Sequence, residues 1–262
     1  MTDWNADLYL RFADERTRPA AELLARVPLE VPARAVDLGC GPGNSTELIA
    51  QRYPAAKLEG IDTSQDMLAK ARARLPQAQF TRGDVAAFQA EPPADLVFAN
   101  AVLQWLPNHA RLLPKLMASL APGGVLAVQM PDNLDEPSHR LMRETAVEPR
   151  FAAKIGDADK IRARILTAEA YYDLLAPHAA SIDIWRTTYC HVLPGPAAII
   201  DWVRATGLRP FLDLLNSAEQ TDFLAAYATR IAKAYPVRAD GKALFAFPRL
   251  FIVAVRSSDQ AR

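Results

Sequence analysis

The sequence predicts a doubly wound α/β fold, a mostly parallel seven-stranded sheet with helical lid insertions. Three observations predict it. Strand and helix patterns alternate through the first half of the 262-residue chain, as they do where crossover helices join parallel strands. The first strand pattern runs into a turn with glycines at alternate positions, Gly39, Gly41 and Gly43. Residues 95–100 read Asp-Leu-Val-Phe-Ala-Asn, the apolar run of a strand buried on both faces.

The elements follow in order. Residues 34–38 form the first strand and 44–52 a helix with Leu48, Ile49 and Tyr53 inward. Residues 57–61 form the second strand. Residues 64–75 form a helix capped by Ser64, with Met67, Leu68 and Leu75 inward. Residues 79–82 and 95–100 are the third and fourth strands. A helix over 109–120 is stopped by Pro122-Gly123-Gly124, and 125–130 is the fifth strand. After Pro131 the pattern changes. Residues 132–180 are mainly helical and polar, most clearly at 168–175. A strand over 181–192 carries Ile182, Ile184, Trp185 and Tyr189. Helices follow at 197–205 and 218–234, the latter with Phe223, Tyr227 and Ile231 on one face. The last strand spans 243–255, where Pro248 implies an edge, a bulge or a break. This describes one structural domain. Residues 1–131 hold the N-terminal segment and the ligand-binding half of the sheet. Residues 132–262 hold its last strands and the lid insertions, expected over the strand ends where open α/β sheets bind ligands.

Composition narrows the function classes. Thirty basic residues balance 30 acidic ones, which disfavours bulk electrostatic binding to nucleic acid or an anionic membrane. No apolar run approaches the ~20 residues needed to cross a bilayer. The first residues lack a basic start followed by an apolar run, so no secretory signal is expected and the expected location is the cytoplasm. The two cysteines, Cys40 and Cys190, form no CxxC or Cys/His cluster, and no metal site is expected.

The chemistry concentrates at strand ends. A glycine turn lets a ligand approach bare backbone at the positive end of a helix. The spacing here is Gly-x-Gly-x-Gly, with Asn44 where a dinucleotide fingerprint carries glycine or alanine. Asp37 precedes the turn and suits a ligand with a cationic amine better than a pyrophosphate. Asp62, after the second strand, can accept both ribose hydroxyls of an adenosine, or cap the next helix. Asp84, after the third, can accept an adenine amine with the Val85 backbone on the ring edge, or serve a plain turn. Met67 belongs to the core or touches adenine. Asn100 and Gln104 are polar candidates at the end of the fourth strand, and Trp105 is a wall or a packing residue.

These residues resemble the class I S-adenosylmethionine (SAM)-dependent methyltransferases. Within that class, several blocks resemble the family that methylates trans-aconitate. They are Trp4-Asn5 with Tyr9 and Phe12, residues 37–46, 98–107 and 125–133, and, in the second half, 183–189, 202–210 and 247–253. Residues 151–164 fall outside these blocks and are expected in the lid. The resemblance implies methyl transfer from SAM to one carboxylate of trans-aconitate, giving a monomethyl ester. It implies a SAM site lined by Gly39, Gly41, Asp62, Asp84 and Asn100, with Trp4 and Tyr9 closing over it.

A carboxylate titrates near ~4, so it is ionised at neutral pH and a direct in-line displacement requires no general base. With four histidines and no Ser/His/Asp or Cys/His arrangement, the sequence offers no obvious base. Arginines grip carboxylates bidentately. Arg186, Arg209 and Arg249 are candidates for the non-reacting carboxylates, each also readable as a surface residue or an aspartate's partner. An arginine on the reacting carboxylate would weaken it as a nucleophile. Neutral donors are therefore expected there, from Tyr171, Tyr172, Tyr189 or His191. His109 and His139 read as surface residues. Rival readings are a SAM enzyme for another small acid, an NAD-dependent oxidoreductase, and a SAM-binding module without catalysis.

Overall fold

A computed structural model describes residues 13–204 and 206–258. Seven strands form one sheet: β1 (Arg34–Leu38), β2 (Lys57–Asp62), β3 (Gln79–Arg82), β4 (Ala94–Asn100), β5 (Leu120–Pro131), β6 (Ala179–Leu193) and β7 (Ala243–Arg256), in the order β3-β2-β1-β4-β5-β7-β6. The first five are parallel, with β1 between β2 and β4. The last strand runs the other way. Pro248 lies beside Asp132 at the end of β5, and Arg256 reaches the Leu120 carbonyl at its start. Ser257 in turn donates to His178, just before β6.

Order reverses between β2 and β4 around β1, so the ends of these strands open a crevice for ligands. The strands that form it are apolar on both faces. Val36 and Leu38 of β1, and Val97, Phe98 and Ala99 of β4, are fully buried. Helices α1 (Ala13–Ala25), α2 (Asn44–Arg52), α3 (Gln65–Arg74) and α4 (His109–Ala118) accompany these strands. Ser64 caps α3 as its sequence predicts, its hydroxyl accepting from the Met67 amide at 3.3 Å.

Among the described residues the chain forms two compact units. One comprises 13–131, 165–187 and 250–258. Its core packs β1, β4, β5 and the end of β7 with α4 and α7 (Ala168–Leu175). The other comprises 132–164 and 188–249. Its core packs α5 (Pro137–Ala146), α6 (Pro149–Ile155), α8 (Pro196–Arg204), the short α9 (Arg209–Leu212) and α10 (Ser217–Ala234) around Trp202, Phe223, Tyr227 and Phe245.

Two local expectations are corrected. Pro122-Gly123-Gly124 does not separate two elements. It lies inside β5, where Leu120 already pairs with Ala94 and the register then shifts, so a bulge absorbs the proline and the left-handed Gly123. Pro248 does not mark a sheet edge, because β7 runs between β5 and β6. The proline still contributes its carbonyl, which accepts from the Asp132 amide at 2.9 Å.

Candidate active site

The glycine turn joins β1 to α2. The amides of Gly39 and Cys40 both donate to the Ile61 carbonyl, at 2.7 and 3.0 Å, drawing the turn onto the end of β2. Gly39 has φ of 65°, and a Cβ there would sit 2.3 Å from Val102 Cγ2, so only glycine fits. Gly41 differs. Its φ is 54° and an added Cβ would meet nothing within 4 Å, so its backbone faces open space. Gly43, also left-handed at φ 89°, precedes α2. Asp62 holds this geometry. Its Oδ2 accepts from the Gly41 amide and its Oδ1 from the Ser64 amide, each at 2.9 Å. Both carboxylate oxygens keep a further lone pair for a ligand hydroxyl.

Asp37 lies beneath the turn, 1% exposed. Its Oδ2 accepts from the hydroxyls of Ser45 at 2.7 Å and Thr46 at 2.6 Å. Its Oδ1 is buried with no donor among the described residues. Burial raises this carboxyl to about 7; the Thr46 and Ser45 hydroxyls oppose the rise and the Asp62 charge adds to it. Three more acceptors are buried without a donor among the described residues: Asn44 Oδ1, Asn100 Oδ1 and Gln104 Oε1. The Gln104 amide donates to the Ala101 carbonyl at 2.6 Å, and Ala101 itself is left-handed at φ 56°, a strained conformation for a residue with a Cβ. Orphaned acceptors are costly unless a ligand brings donors. This set suits a ligand with a cationic amine and hydroxyl donors, and it would repel a pyrophosphate. SAM carries the first kind of group, so the residues present fit it.

Asp84 is exposed, its Oδ1 accepting from the Ala86 amide at 2.9 Å, beside buried Val85. Met67 is buried at 4% exposure and Trp105 is partly buried. Cys40 is buried in the turn, and burial, then the charge of Asp37, pushes its thiol far up, leaving no reactive thiolate. Ser45, Thr46 and Asn44 were missed as site residues. Their signal was available: three polar residues opening a helix directly after the glycines.

Two histidines expected at the surface are buried. His109, 7% exposed, donates from Nε2 to the Leu103 carbonyl at 2.9 Å, so its Nδ1 accepts from the Tyr171 hydroxyl at 2.6 Å. His139, 5% exposed, is held neutral; burial, then the charges of Arg162 and Arg143, lowers it to about 3. In both cases a polar ring is paid for by specific partners, which no local pattern announces.

Tyr171 is fully buried, and its hydroxyl also accepts from the Leu166 amide at 3.2 Å. It acts as a post of the core. Tyr171→Phe is expected to cost about 1–3 kcal/mol of stability, because two buried polar groups lose a partner. Thermal melts and steady-state kinetics check this, with kcat and KM unchanged. A large kinetic loss at wild-type Tm would return Tyr171 to the substrate.

In the unit built from 132–164 and 188–249, Arg249 is 4% exposed. Its guanidinium lies 4.6 Å from the Phe247 ring centroid and 5.8 Å from that of Tyr189. Tyr189 stacks with His191 at 6.0 Å, and His191 approaches Trp202 at 4.6 Å. The structure thus brings together Tyr189, His191 and Arg249. The other candidates are described each in its own place. Arg209 is partly buried with Asp213 at 3.8 Å, Arg186 is exposed on β6, and Tyr172 is exposed on α7. Trp4 and Tyr9 lie outside the described residues. Arg162, in the same unit, was not singled out in the sequence. It is partly buried, its Nη1 donates to Asn133 Oδ1 at 3.3 Å, and burial lowers it to about 10 against the opposing charge of Asp132.

A family model described as a methyltransferase domain matches residues 35–124, the span of the glycine turn and the acceptor-rich strand ends. A solved structure, the YcgJ protein from Bacillus subtilis, shares the fold with a TM-score of 0.59 at 9% identity, covering 92% of this chain and 100% of that one. The trans-aconitate 2-methyltransferase of Methylobacterium nodulans is 62% identical over 98% of this chain and 100% of its own length. That of Variovorax paradoxus is 58% identical over the same shares. Identity at this level, over nearly the whole length of both chains, shows that the chain belongs to the trans-aconitate 2-methyltransferase family of SAM-dependent methyltransferases.

Proposed function

We propose that the protein transfers the methyl group of SAM to one carboxylate of trans-aconitate, giving a monomethyl ester by direct in-line displacement. Its relatives carry that activity in their names along their full length. Within the molecule, the observation that carries the acid substrate is Arg249, a charged guanidinium buried among aromatic rings. A guanidinium presents a fork that fits a carboxylate bidentately.

When bound, SAM would supply an electrophilic methyl group. The orphaned Oδ1 of Asp37 accepts from the amine, while the turn from Gly39 to Gly43 gives the ligand bare backbone. Asp62 accepts the ribose hydroxyls and Asp84 the adenine amine, beside Val85 and Met67. Asn100 and Gln104 supply acceptors at the end of β4. Arg249 holds a non-reacting carboxylate, leaving the reacting one its electron density. Tyr189 and His191, beside it, orient the substrate. The reacting carboxylate is ionised at neutral pH, so these residues contribute orientation and exclusion of water.

Among the described residues, no helix is long and apolar enough to cross a membrane. Cys40 and Cys190 are free thiols, which suits a reducing compartment, and the reading includes a cytoplasmic location.

Label transfer from methyl-labelled SAM to trans-aconitate, cis-aconitate, isocitrate and citrate tests the reaction. Trans-aconitate is expected to show the highest kcat/KM. Equal labelling of all four acids, or none of trans-aconitate, would sink the substrate assignment.

A further inference from the structure

We propose that Ser45 and Thr46 are positioning residues of the cofactor site: their hydroxyls, both committed to Oδ2 of Asp37, keep that buried carboxylate anionic and leave its Oδ1 to the amine of SAM. This rests on the reading of Asp37 above and adds two residues to it.

Asp37 lies near the end of β1, 1% exposed, and pairs with Gly60 of β2 and Phe98 of β4 in the sheet. A carboxyl so placed favours its protonated form, because burial withdraws water from the charge. A protonated Asp37 offers an amine no charge. Something must oppose the cost of burial, and among the described residues no cation does. Besides burial, the influences on Asp37 are the Thr46 and Ser45 hydroxyls, which favour the anion, and the Asp62 charge, which disfavours it. The other ionisable groups around the turn are engaged elsewhere. Asp62 accepts from the Gly41 and Ser64 amides. Glu47, next on α2, pairs with Arg74 at 2.8 Å. The Cys40 thiol stays neutral, and the Arg72 charge bears on it.

The hydroxyl geometry suits an anion. Thr46 donates at 2.6 Å and Ser45 at 2.7 Å, the short range of an O–H···O⁻ bond. An ionised carboxylate only accepts, and each hydroxyl has a single proton, so both protons go to the same oxygen. Both side chains are buried, Thr46 at 1% and Ser45 at 7% exposure, where such bonds are strongest. Consecutive residues in the first turn of α2 supply them, so the helix that opens after Gly43 fixes both at once. Oδ1 receives no donor among the described residues. One oxygen is saturated and the other is reserved.

Calorimetric SAM binding and melts of the ligand-free protein, each across about pH 5 to 9, test this with Thr46→Val, Thr46→Ser and Ser45→Ala. Removing a hydroxyl should carry the Asp37 titration upward by about one pH unit. SAM affinity in Thr46→Val is expected to lie about 10-fold below wild type near pH 6 and to close on it above about pH 8, as the variant's carboxyl ionises. The ratio to wild type cancels any titration of SAM itself. The Tm gap does the reverse. The folded variant keeps its extra proton to higher pH, so its stability goes on falling where wild type has levelled, and the gap opens between about pH 7 and 8. Thr46→Ser keeps the donor and should follow wild type in both readouts. A merely structural hydroxyl would lower Tm and affinity by amounts independent of pH, and that result overturns the proposal. If Thr46→Val does not fold, Ser45→Ala carries the same comparison.

The Asp37→Asn background separates this inference from the reading it rests on. There Thr46→Val should leave no pH-dependent difference in Tm or SAM affinity; a difference that persists belongs to another titrating group and overturns the proposal. If wild-type affinity rises to about pH 7 and Thr46→Val follows the same curve, the hydroxyl role alone falls. If Asp37→Asn binds SAM like wild type at every pH, the reading of Asp37 falls and the hydroxyl role with it.

Discussion

Replacing Asp37 with asparagine is expected to weaken SAM binding about 100-fold while making the protein more stable above neutral pH. The amide keeps an oxygen for the Ser45 and Thr46 hydroxyls and removes only the charge. Loss of a buried charge-assisted partner for an amine costs roughly 2–3 kcal/mol. The stability effect has the opposite sign. The unfolded chain releases the Asp37 proton near its ordinary 3.8, whereas the folded protein releases it only near 7. The folded state thus holds the extra proton between these values, and wild-type stability falls as pH rises through that window. This contribution is fully present below pH 4 and lost above pH 7. Asp37→Asn removes the slope, so its Tm should exceed wild type by several degrees at pH 8 and match it most closely near pH 4. Wild-type SAM affinity should rise with pH up to about 7 and then level, whereas the variant's should be flat. Thermal melts and calorimetry across pH 5 to 9 measure both. A variant that binds SAM like wild type would remove Asp37 from the site.

Arg249→Gln is expected to lower kcat/KM for trans-aconitate by at least about 100-fold, with SAM affinity retained. The loss should exceed that of Arg186→Gln and Arg209→Gln, because Arg186 is exposed and Arg209 has Asp213 at 3.8 Å. Some stability should also be lost, about 1–2 kcal/mol, as the ring contacts with Phe247 and Tyr189 disappear. Arg249→Lys keeps the charge and restores part of the activity if the fork matters. Initial rates with a thermal melt as folding control decide the order. Equal losses in all three glutamine variants would contradict the assignment.

Much of this could be read from the chain. The five parallel strands, the glycine turn and the Ser64 cap follow from local signals: apolar runs, alternating glycines, and a serine before a helical face. Asp37, Asp62 and Asp84 stand out in the sequence because each lies at or just beyond the end of a strand pattern, and parallel strands bring such ends to one side of the sheet. Ser45 and Thr46 were visible but unassigned, because a buried hydroxyl looks like any helix-opening polar residue until its acceptor is known.

Burial and long-range partners were decided elsewhere. His109 is interior because Tyr171, 62 residues away, donates to it, and His139 because it is packed and neutral near two arginines. Pro248 sits in an inner strand because β7 inserts between β5 and β6, a matter of sheet order. Arg162 and Arg164 are alike in sequence, yet one turns toward Asn133 and the other toward Asp135. The sequence by itself determined the strand-helix alternation, the turn and the acidic residues at strand ends, because these depend on neighbours within one element. Only the tertiary structure decided which polar groups are desolvated and which stay in water, because desolvation depends on what distant segments bring to each atom. That is why the Asp37 oxygen left without a donor among the described residues, and the burial of Arg249 among aromatic rings, emerge from the fold alone.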